Sequence, residues 1–538
     1  MEYKMFKIPE KIINETENFK ESLFALLEKD LSKGNLKKFC APWGIYEEKI
    51  PEKYMLRVGI PAGVITLDQI RKINAIAVSF GKEHIHLTTR QDIQFHGLSL
   101  TDIPDIMLDL LGINLISKGT GGNCVRNIAC SPLSGVSFDE VFDVTEYAIE
   151  TMNHLLKDSS SFSLPRKFKI SFSNSNSDTA YATISDIGFI AKIQDSVRGF
   201  EVYGGGSLGN NPSIAIKLAD FIPATDLFYY VEGMKELFEV EGDRDNRNKA
   251  RIRFILYKLG EEEFRNKYLW HVEKVKKIKE LDLEPKIISN SSDDINQNED
   301  ISFLIKNQLV IQQKNKDYAV NIHPTGGNLR LSDLNRLINF INRLNYRISI
   351  RLTNTQGLLI RDLKSNDAYK LFQIISEFTS SFDIDNSLSC VGSEICKTGI
   401  CNSQHLLAAI IKKFKNVDPI LKAELPRLHI SGCFNSCGQH LKAEIGLAGK
   451  IKKVNNELTS VYKIYLGGHI GASQTRLAAD YGEINAEMVP EFIYELAKLK
   501  RNSEIADITE FLEIEKENVL RLIARFGDNN TKNCCETC

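Results

Sequence analysis

Apolar and polar residues alternate along the chain in two periods, and each period predicts elements. Tyr54-Met55-Leu56-Arg57-Val58 reads as a strand. After Pro61-Ala62-Gly63, Thr66 and Gln69 stand three apart as a capping box. Leu67, Ile70, Ile73, Ile76, Ala77 and Phe80 then recur at helical spacing. His84 to Thr89 reads as the next strand, followed by a polar loop from Arg90 to Gly97. Where that run is extended, Gln94 and His96 share one face. Upstream, an N-terminal extension is expected to hold one helix, roughly Glu15 to Leu31.

The same succession returns about 265 residues later. A turn at His323-Pro324-Thr325-Gly326 leads to a helix with Leu334, Leu337, Ile338 and Ile341, and then to Ile348-Ser349-Ile350-Arg351-Leu352-Thr353. Further matches keep nearly this offset. Cys124-x5-Cys130 aligns with Cys390-x5-Cys396, Leu164-Pro165-Arg166 with Leu425-Pro426-Arg427, and Val202–Gly209 with Ile464–Gly471. A tandem duplication of one α+β unit, paired about a pseudo-two-fold axis, is therefore expected. Equivalent loops of the two halves should face each other, and Lys167-Phe168-Lys169 is read as the counterpart of the Cys433…Cys437 loop.

Composition narrows the classes. The 538 residues are 43% hydrophobic and 26% charged with a net charge of −2, so charge offers nothing to nucleic acid or to an anionic membrane surface. No apolar run is long enough to span a membrane, and the first residues show no secretory h-region. Eleven clustered cysteines then point to a reducing, cytoplasmic setting and to metal or cluster binding.

Two residue sets carry candidate chemistry. Cys390-x5-Cys396 and Cys433-x3-Cys437 lie in Gly/Ser/Asn-rich loops, enough thiolates for a metal or an iron–sulfur cluster. C-x5-C is wide for a zinc knuckle, and ordinary buried cysteines are the bland alternative. Cys124 and Cys130 imitate the first pair, but with no matching C-x3-C they read as core cysteines. The second set is cationic: Arg57, Arg90, Arg126, Lys167 and Lys169 at strand ends or in loops. Each alone is most simply a solvated charge. Lys167 and Lys169, two apart in an extended stretch, share a side and would repel unless an anion lay between them. The Gly204–Gly209 run lacks the dinucleotide-binding order, and because it recurs in the other half it reads as a close backbone approach.

These motifs together resemble the sirohaem–[4Fe–4S] sulfite and nitrite reductase family. The residues that carry the resemblance are the two cysteine pairs, Thr88-Thr89-Arg90-Gln91-x-x-Gln94-x-His96-Gly97, Asn123-x-Val125-Arg126-Asn127, Leu164–Lys169 and Gly204–Gly209, collinear from about residue 35 to 500. The resemblance implies an α+β fold of tandem sulfite/nitrite reductase units, with ferredoxin-like half-domains and two larger lobes. The expected boundaries are 1–50 for the extension, 51–115 for the first half-domain and 116–287 for the sirohaem-binding lobe. A linker (288–300), the second half-domain (301–368), the cluster-bearing lobe (369–527) and a tail (528–538) follow. It also implies that Cys390, Cys396, Cys433 and Cys437 ligate the cluster, with Cys437 also the axial sirohaem ligand. Arg57, Arg126, Lys167 and Lys169 would bind the anion and supply protons, and Thr88, Arg90, Gln94, His96, Arg247, Arg251 and Arg253 would contact sirohaem. The implied reaction is six-electron reduction of sulfite to sulfide, or of nitrite to ammonia. In the family, Lys at the position of Lys169 goes with sulfite and Asn with nitrite. Electrons would come from ferredoxin or a flavoprotein reductase subunit. A cluster-carrying electron-transfer subunit without turnover, and a zinc-stabilised structural protein, are the rival readings.

Overall fold

The structure is a computed structural model that describes residues 6–29, 33–281, 283, 305, 310–454 and 456–527. The expected linker (288–300) and tail (528–538) lie outside the described residues. The chain forms two compact units. One comprises Met1–Ser207, Ser213–Phe378 and Gly471–Ser473. The other comprises Leu208–Pro212, Thr379–Ile470 and Gln474–Cys538.

The first unit opens with helices, and here the expected single helix is two, Glu10–Glu17 and Phe19–Glu28. They meet at Asn18, whose side-chain amide donates to Asn14 O at 2.8 Å; such local bonds compete with helix propagation. The first half-domain follows: β1 (Ile45–Glu47), β2 (Tyr54–Val58), β3 (Val64–Ile65), β4 (His84–Leu87) and β5 (Ile93–Leu98). Its helix, Leu67–Ser79, starts on the expected capping box: Thr66 Oγ1 accepts from Gln69 N at 3.1 Å and Gln69 Oε1 from Thr66 N at 2.9 Å. The expected polar loop from Arg90 to Gly97 is instead a tight turn followed by β5. Gln91 takes a left-handed φ of 58°, and Ile93, Phe95 and Leu98 then alternate into the core.

A first lobe carries β6 (Ala129–Cys130), β7 (Ile170–Ser173), β8 (Ile187–Gln194), β9 (Val197–Gly204) and β10 (Ile216–Pro223). The second half-domain repeats the first with β11 (Val310–Gln312), β12 (Tyr318–Ile322), β13 (Asn328–Arg330), β14 (Ser349–Leu352) and β15 (Leu358–Leu363). The two half-domain sheets run β1-β2-β5-β4-β13 and β11-β12-β15-β14-β3, so each takes its last strand from the other. The exchange continues in side chains: Gln91 Nε2 donates to Leu352 O at 2.8 Å, and Gln356 Nε2 to Leu87 O at 3.4 Å. Both half-domains share one hydrophobic core.

The second unit holds the other lobe: β16 (Leu388–Ser389), β17 (Leu428–Ser431), β18 (Ile445–Val454), β19 (Glu457–Leu466) and β20 (Ala479–Asn485). Its order, β16-β17-β18-β19-β20, is that of β6 to β10, with the first two pairings parallel and the last two antiparallel in both lobes. The fold is thus α+β and duplicated. No helix among the described residues is long and apolar enough to cross a membrane.

Candidate active site

The cationic set lies in the first unit, and strand alternation places part of it. Leu56, Val58, Ile85, Leu87, Ile93 and Phe95 enter the core, so Arg57, His86, Gln94 and His96 occupy the opposite face of the sheet. Arg57 and Gln94 are cross-strand partners. With its amide oxygen turned to Arg57, Gln94 accepts from Nη2 at 2.8 Å and Nε at 3.0 Å. His96 Nδ1 lies 2.9 Å from Glu48 Oε1.

The loop between the half-domain and the lobe brings in Arg126. Its Nη1 and Nη2 donate to Thr120 O (2.7 Å) and Gly122 O (2.6 Å), while Arg57 Nη1 donates to the same Thr120 carbonyl at 2.8 Å. Two guanidinium groups therefore converge on one backbone oxygen, and the buried Nε of Arg126 has no hydrogen-bond partner. Tyr46, whose hydroxyl accepts from Gly122 N at 2.7 Å, feels both. Burial pushes its phenol up, but Arg126 and Arg57 with the hydrogen bonds leave it below the usual tyrosine range.

Lys167 and Lys169 flank Phe168, which is fully buried and bridged to Val125, so both half-buried lysines lie on the side opposite its ring. They precede β7 rather than lying in it. Arg90 donates to Asn127 O at 3.0 Å, Ser171 Oγ at 3.2 Å and Ile170 O at 2.5 Å, and burial lowers its pKa to about 10. Thr88 Oγ1 closes the turn by accepting from Arg90 N (3.2 Å) and Asp92 N (3.0 Å). Arg251 forks onto Asp186 at 2.8 and 2.9 Å, Arg253 Nη1 donates to Ser207 Oγ at 2.8 Å, and Arg247 is exposed.

One cation escaped the sequence reading. Arg166 is half-buried, and its pKa is lowered to about 10 by that burial and then by Arg247, Arg251 and Arg126. Like charges gathered in this way are what a polyanionic ligand offsets. The signal was present in Leu164-Pro165-Arg166, but only the fold shows which arginines surround it. A macrocycle bearing several carboxylates fits this set, with the unpartnered Arg126 Nε one donor to spare for it.

The thiols lie in the second unit. Burial pushes the Cys433 thiol up to about 11, and Cys437, Cys390 and Cys396 push it the same way, so the four form one electrostatic group. Backbone and hydroxyl groups point at the sulfurs: Gly432 N donates to Cys390 Sγ at 3.2 Å, and Ser403 Oγ and Thr398 Oγ1 lie 3.2 Å from Cys390 and Cys396. Among the described residues no three His, Cys, Asp or Glu side chains are gathered as a single-ion site. Four thiols with hydrogen bonds to sulfur suit a cuboidal cluster, whose potential such bonds tune. Cys401, buried behind the loop, holds it in place: Ile400 N and Cys401 N both donate to Gly432 O, at 3.1 and 2.8 Å.

The duplicated lobes correct the equivalences read from spacing. Cys130 lies in β6 opposite Phe172, where the second lobe has Ser389 opposite Ile430. The residue after each strand donates to the neighbouring strand in the same way, Ser131 N to Phe172 O and Cys390 N to Ile430 O, both at 3.1 Å. Asn174 N then reaches Ser131 Oγ at 3.3 Å, as Gly432 N reaches Cys390 Sγ. Ser137 N bonds Leu133 O (3.1 Å) as Cys396 N bonds Gly392 O (2.9 Å). After β7 and β17 the loops share left-handed residues at matching places, Asp178 (50°) with Ser436 (55°) and Tyr181 (64°) with Gln439 (63°). The counterparts of Cys390, Cys396, Cys433 and Cys437 are therefore Ser131, Ser137, Ser175 and Thr179. The motif S-x5-S…S-x3-T was legible but went unread. Lys167-Phe168-Lys169 is not the counterpart of the C-x3-C loop, because it enters β7 while that loop leaves β17. Cys124 and Cys130 are fully buried, their thiols pushed up to about 11 and 12 by burial. The Gly-rich run packs against backbone, with Gly206 N on Ser185 O at 2.9 Å as Gly468 N is on Ala443 O at 3.0 Å.

Residues 46–113 match the nitrite/sulfite reductase ferredoxin-like half domain, and residues 121–276 match the nitrite and sulphite reductase 4Fe-4S domain. The second range covers the lobe with hydroxyls at the four positions; the cysteine set lies outside it. The assimilatory ferredoxin-dependent nitrite reductase of Haloferax mediterranei is 27% identical over 487 residues, 85% of this chain and 81% of that protein. Sulfite reductase [ferredoxin] 1 of Mycolicibacterium paratuberculosis is 27% identical over 437 residues, 79% of this chain and 75% of that protein. The solved NirA protein of Mycobacterium tuberculosis shares the fold, with a TM-score of 0.79 at 21% identity over 94% of this chain and 95% of that one. Residues 46–113 and 121–276 are thus nitrite and sulfite reductase domains, and the chain is an oxidoreductase of sirohaem and a [4Fe–4S] cluster.

Proposed function

We propose that this protein reduces sulfite to sulfide with six electrons. The observation that carries this reading is the convergence of Arg57 and Arg126 on Thr120 O beside the like-charged Arg166, Arg247 and Arg251. Such a set is costly unless an anion offsets it. In this reading Arg57 and Arg126 bind the substrate oxygens and stabilise charge, and Lys167 and Lys169 deliver protons to the oxygen that leaves as water. Arg90 and Thr88 act from behind, through the turn they fix, and Gln94 orients Arg57. Arg247, Arg251 and Arg253, with Gln94 and His96, line the sirohaem side. Cys390, Cys396, Cys433 and Cys437 hold the cluster, Cys437 also serving sirohaem. Bound there, the two cofactors would supply the redox chemistry, passing on the electrons that the donor protein delivers.

Lys169 favours sulfite, because the family resemblance implies Lys at this place for sulfite and Asn for nitrite. A second reading, nitrite to ammonia at the same residues, is favoured by the name of the Haloferax relative. Ferredoxin is the electron donor in both readings, as in the names of these relatives. A reducing, cytoplasmic setting belongs to the same proposal, because the cysteines must stay available as ligands. Comparing kcat/KM for sulfite and nitrite in the purified holoenzyme decides between them. A higher value for sulfite is expected, and a large preference for nitrite would overturn the first reading.

A further inference from the structure

Asp92 stands inside the cationic set and has no part in the reaction as proposed. It is 3% exposed. Arg57 faces it from β2, Arg90 from its own turn and Arg126 from the loop that follows the half-domain; Ile60 N–H also reaches the carboxyl. Its Oδ1 has no hydrogen-bond partner, and neither has the neighbouring Asn127 Oδ1, although Asn127 Nδ2 donates to Ile60 O at 2.8 Å and to Arg90 O at 3.2 Å.

The duplicated fold supplies the control that separates a structural from a functional role. The turn in the second half-domain is closed the same way. Thr353 Oγ1 accepts from Gly357 N at 2.9 Å as Thr88 Oγ1 accepts from Asp92 N, and Thr353 N donates to Gly357 O at 2.9 Å as Thr88 N donates to Asp92 O at 3.0 Å. Gln356 takes the left-handed φ of Gln91, 61° against 58°. The residue at the place of Asp92 is Gly357, and that at the place of Arg90 is Thr355. The turn therefore folds without a carboxyl. Acid and arginine occur together only in the half-domain that carries the cationic set.

We infer that Asp92 is a positioning residue that couples anion binding to the uptake of one proton, through the guanidinium groups of Arg57 and Arg126. While Asp92 is ionised it offsets part of their positive charge. An incoming anion competes for that charge, and the carboxylate answers by taking a proton from solvent onto Oδ. The site then holds the anion together with a proton for a reaction that consumes protons. Burial raises the Asp92 carboxyl to about 6 even against the pull of the three arginines, so this exchange falls near neutral pH. The sign follows from linkage. Anion binding raises the carboxyl further, so affinity is highest where Asp92 is already protonated and falls as pH rises through its ionisation.

This inference rests on the anion-site reading of Arg57 and Arg126, and its test separates the two. Nitrite, which does not titrate near neutrality, is bound to the oxidised holoenzyme between about pH 5 and 8. Affinity is followed by the visible spectrum, and proton uptake by calorimetry in buffers of different ionisation enthalpy. The wild type should take up a fraction of a proton that peaks within this range, and its affinity should fall on the order of tenfold towards the alkaline end. Asp92→Asn should take up none by this route and keep the acid-side affinity throughout. Asp92→Gly, the residue the second turn already uses, should behave alike and serves if Asp92→Asn does not fold. Proton uptake in both variants equal to the wild type, or none in the wild type, overturns the inference. Arg57→Ala with unchanged nitrite affinity would instead overturn the anion-site reading beneath it.

Discussion

The loop after β7 and the loop after β17 have one backbone and two chemistries. In the first lobe Ser175-Asn176-Ser177-Asp178-Thr179 is closed by its own hydrogen bonds. Asp178 accepts from Ser173 Oγ (2.6 Å), Ala182 N (2.7 Å), Thr183 N (3.0 Å) and Thr183 Oγ1 (2.7 Å), and Thr179 Oγ1 donates to Ser131 Oγ at 2.7 Å. In the second lobe Cys433-Phe434-Asn435-Ser436-Cys437 leaves the Ser436 hydroxyl buried without a partner, and Cys437 is exposed. The hydroxyl loop is thus tied to the lobe around it by hydrogen bonds. The thiol loop presents the sulfurs that the proposed function assigns to the cluster. A duplicated fold can thus keep one loop geometry in both copies while only one copy carries thiols and the other fills the place with polar contacts.

The largest effects should come from exchanging members of this pair. Cys433→Ser makes the second loop resemble the first, so cluster iron and labile sulfide should vanish and sulfite reduction should fall to background. Cys124→Ser, in the buried look-alike pair, should leave iron and sulfide content unchanged. Next comes the stretch that enters each lobe's second strand. Lys169→Ala should lower kcat/KM by about 10²-fold if it supplies a proton. Arg427, which also enters its strand and is bonded to Asp383 at 2.7 Å, should change kcat/KM less than about twofold when made Ala, as an exposed ion pair should.

Smaller effects concern stability. Asp178→Ala strands four donors and should cost about 2–4 kcal/mol in denaturant unfolding, whereas Ser436→Ala removes a hydroxyl that already lacks a partner and should be nearly neutral. The smallest lies away from both loops, in the helix packed on the first lobe. Burial pushes Glu232 up, but His154, Lys235 and Lys279 more than reverse it and bring its carboxyl down to about 2. A carboxylate with a depressed pKa adds stability above its unfolded value, near 4.5, and loses it as pH falls towards about 2. The stability gap between wild type and Glu232→Gln, of order 1 kcal/mol, should therefore close over that range.

Much of the half-domains was legible because local pattern fixes them: the capping box at Thr66, the helix from Leu67 and the strand at Tyr54 need only near neighbours. Equivalence between the lobes was not. Matching C-x5-C to C-x5-C carried over the offset of about 265 from the half-domains, while strand pairing sets the lobe offset near 258, as Ile170 with Leu428 shows. Spacing cannot sense that shift, whereas hydrogen bonds such as Ser131 N to Phe172 O define it. Reading hydroxyl for thiol would have found Ser131, Ser137, Ser175 and Thr179 in the sequence. Arg166 and Asp92 stand within motifs visible in the sequence, but their importance comes from burial and from the arginines that the fold gathers around them. The strand at Ile93–Leu98 was missed because Gln94 and His96 made a strand with one polar face look like a loop.

The most direct measurement is the iron and acid-labile sulfide content of the anaerobically purified protein, wild type beside Cys433→Ser. About four labile sulfides per wild-type chain and none in the variant are expected if these cysteines, and not their hydroxyl counterparts, hold the cluster. Equal sulfide in the two proteins would contradict that assignment.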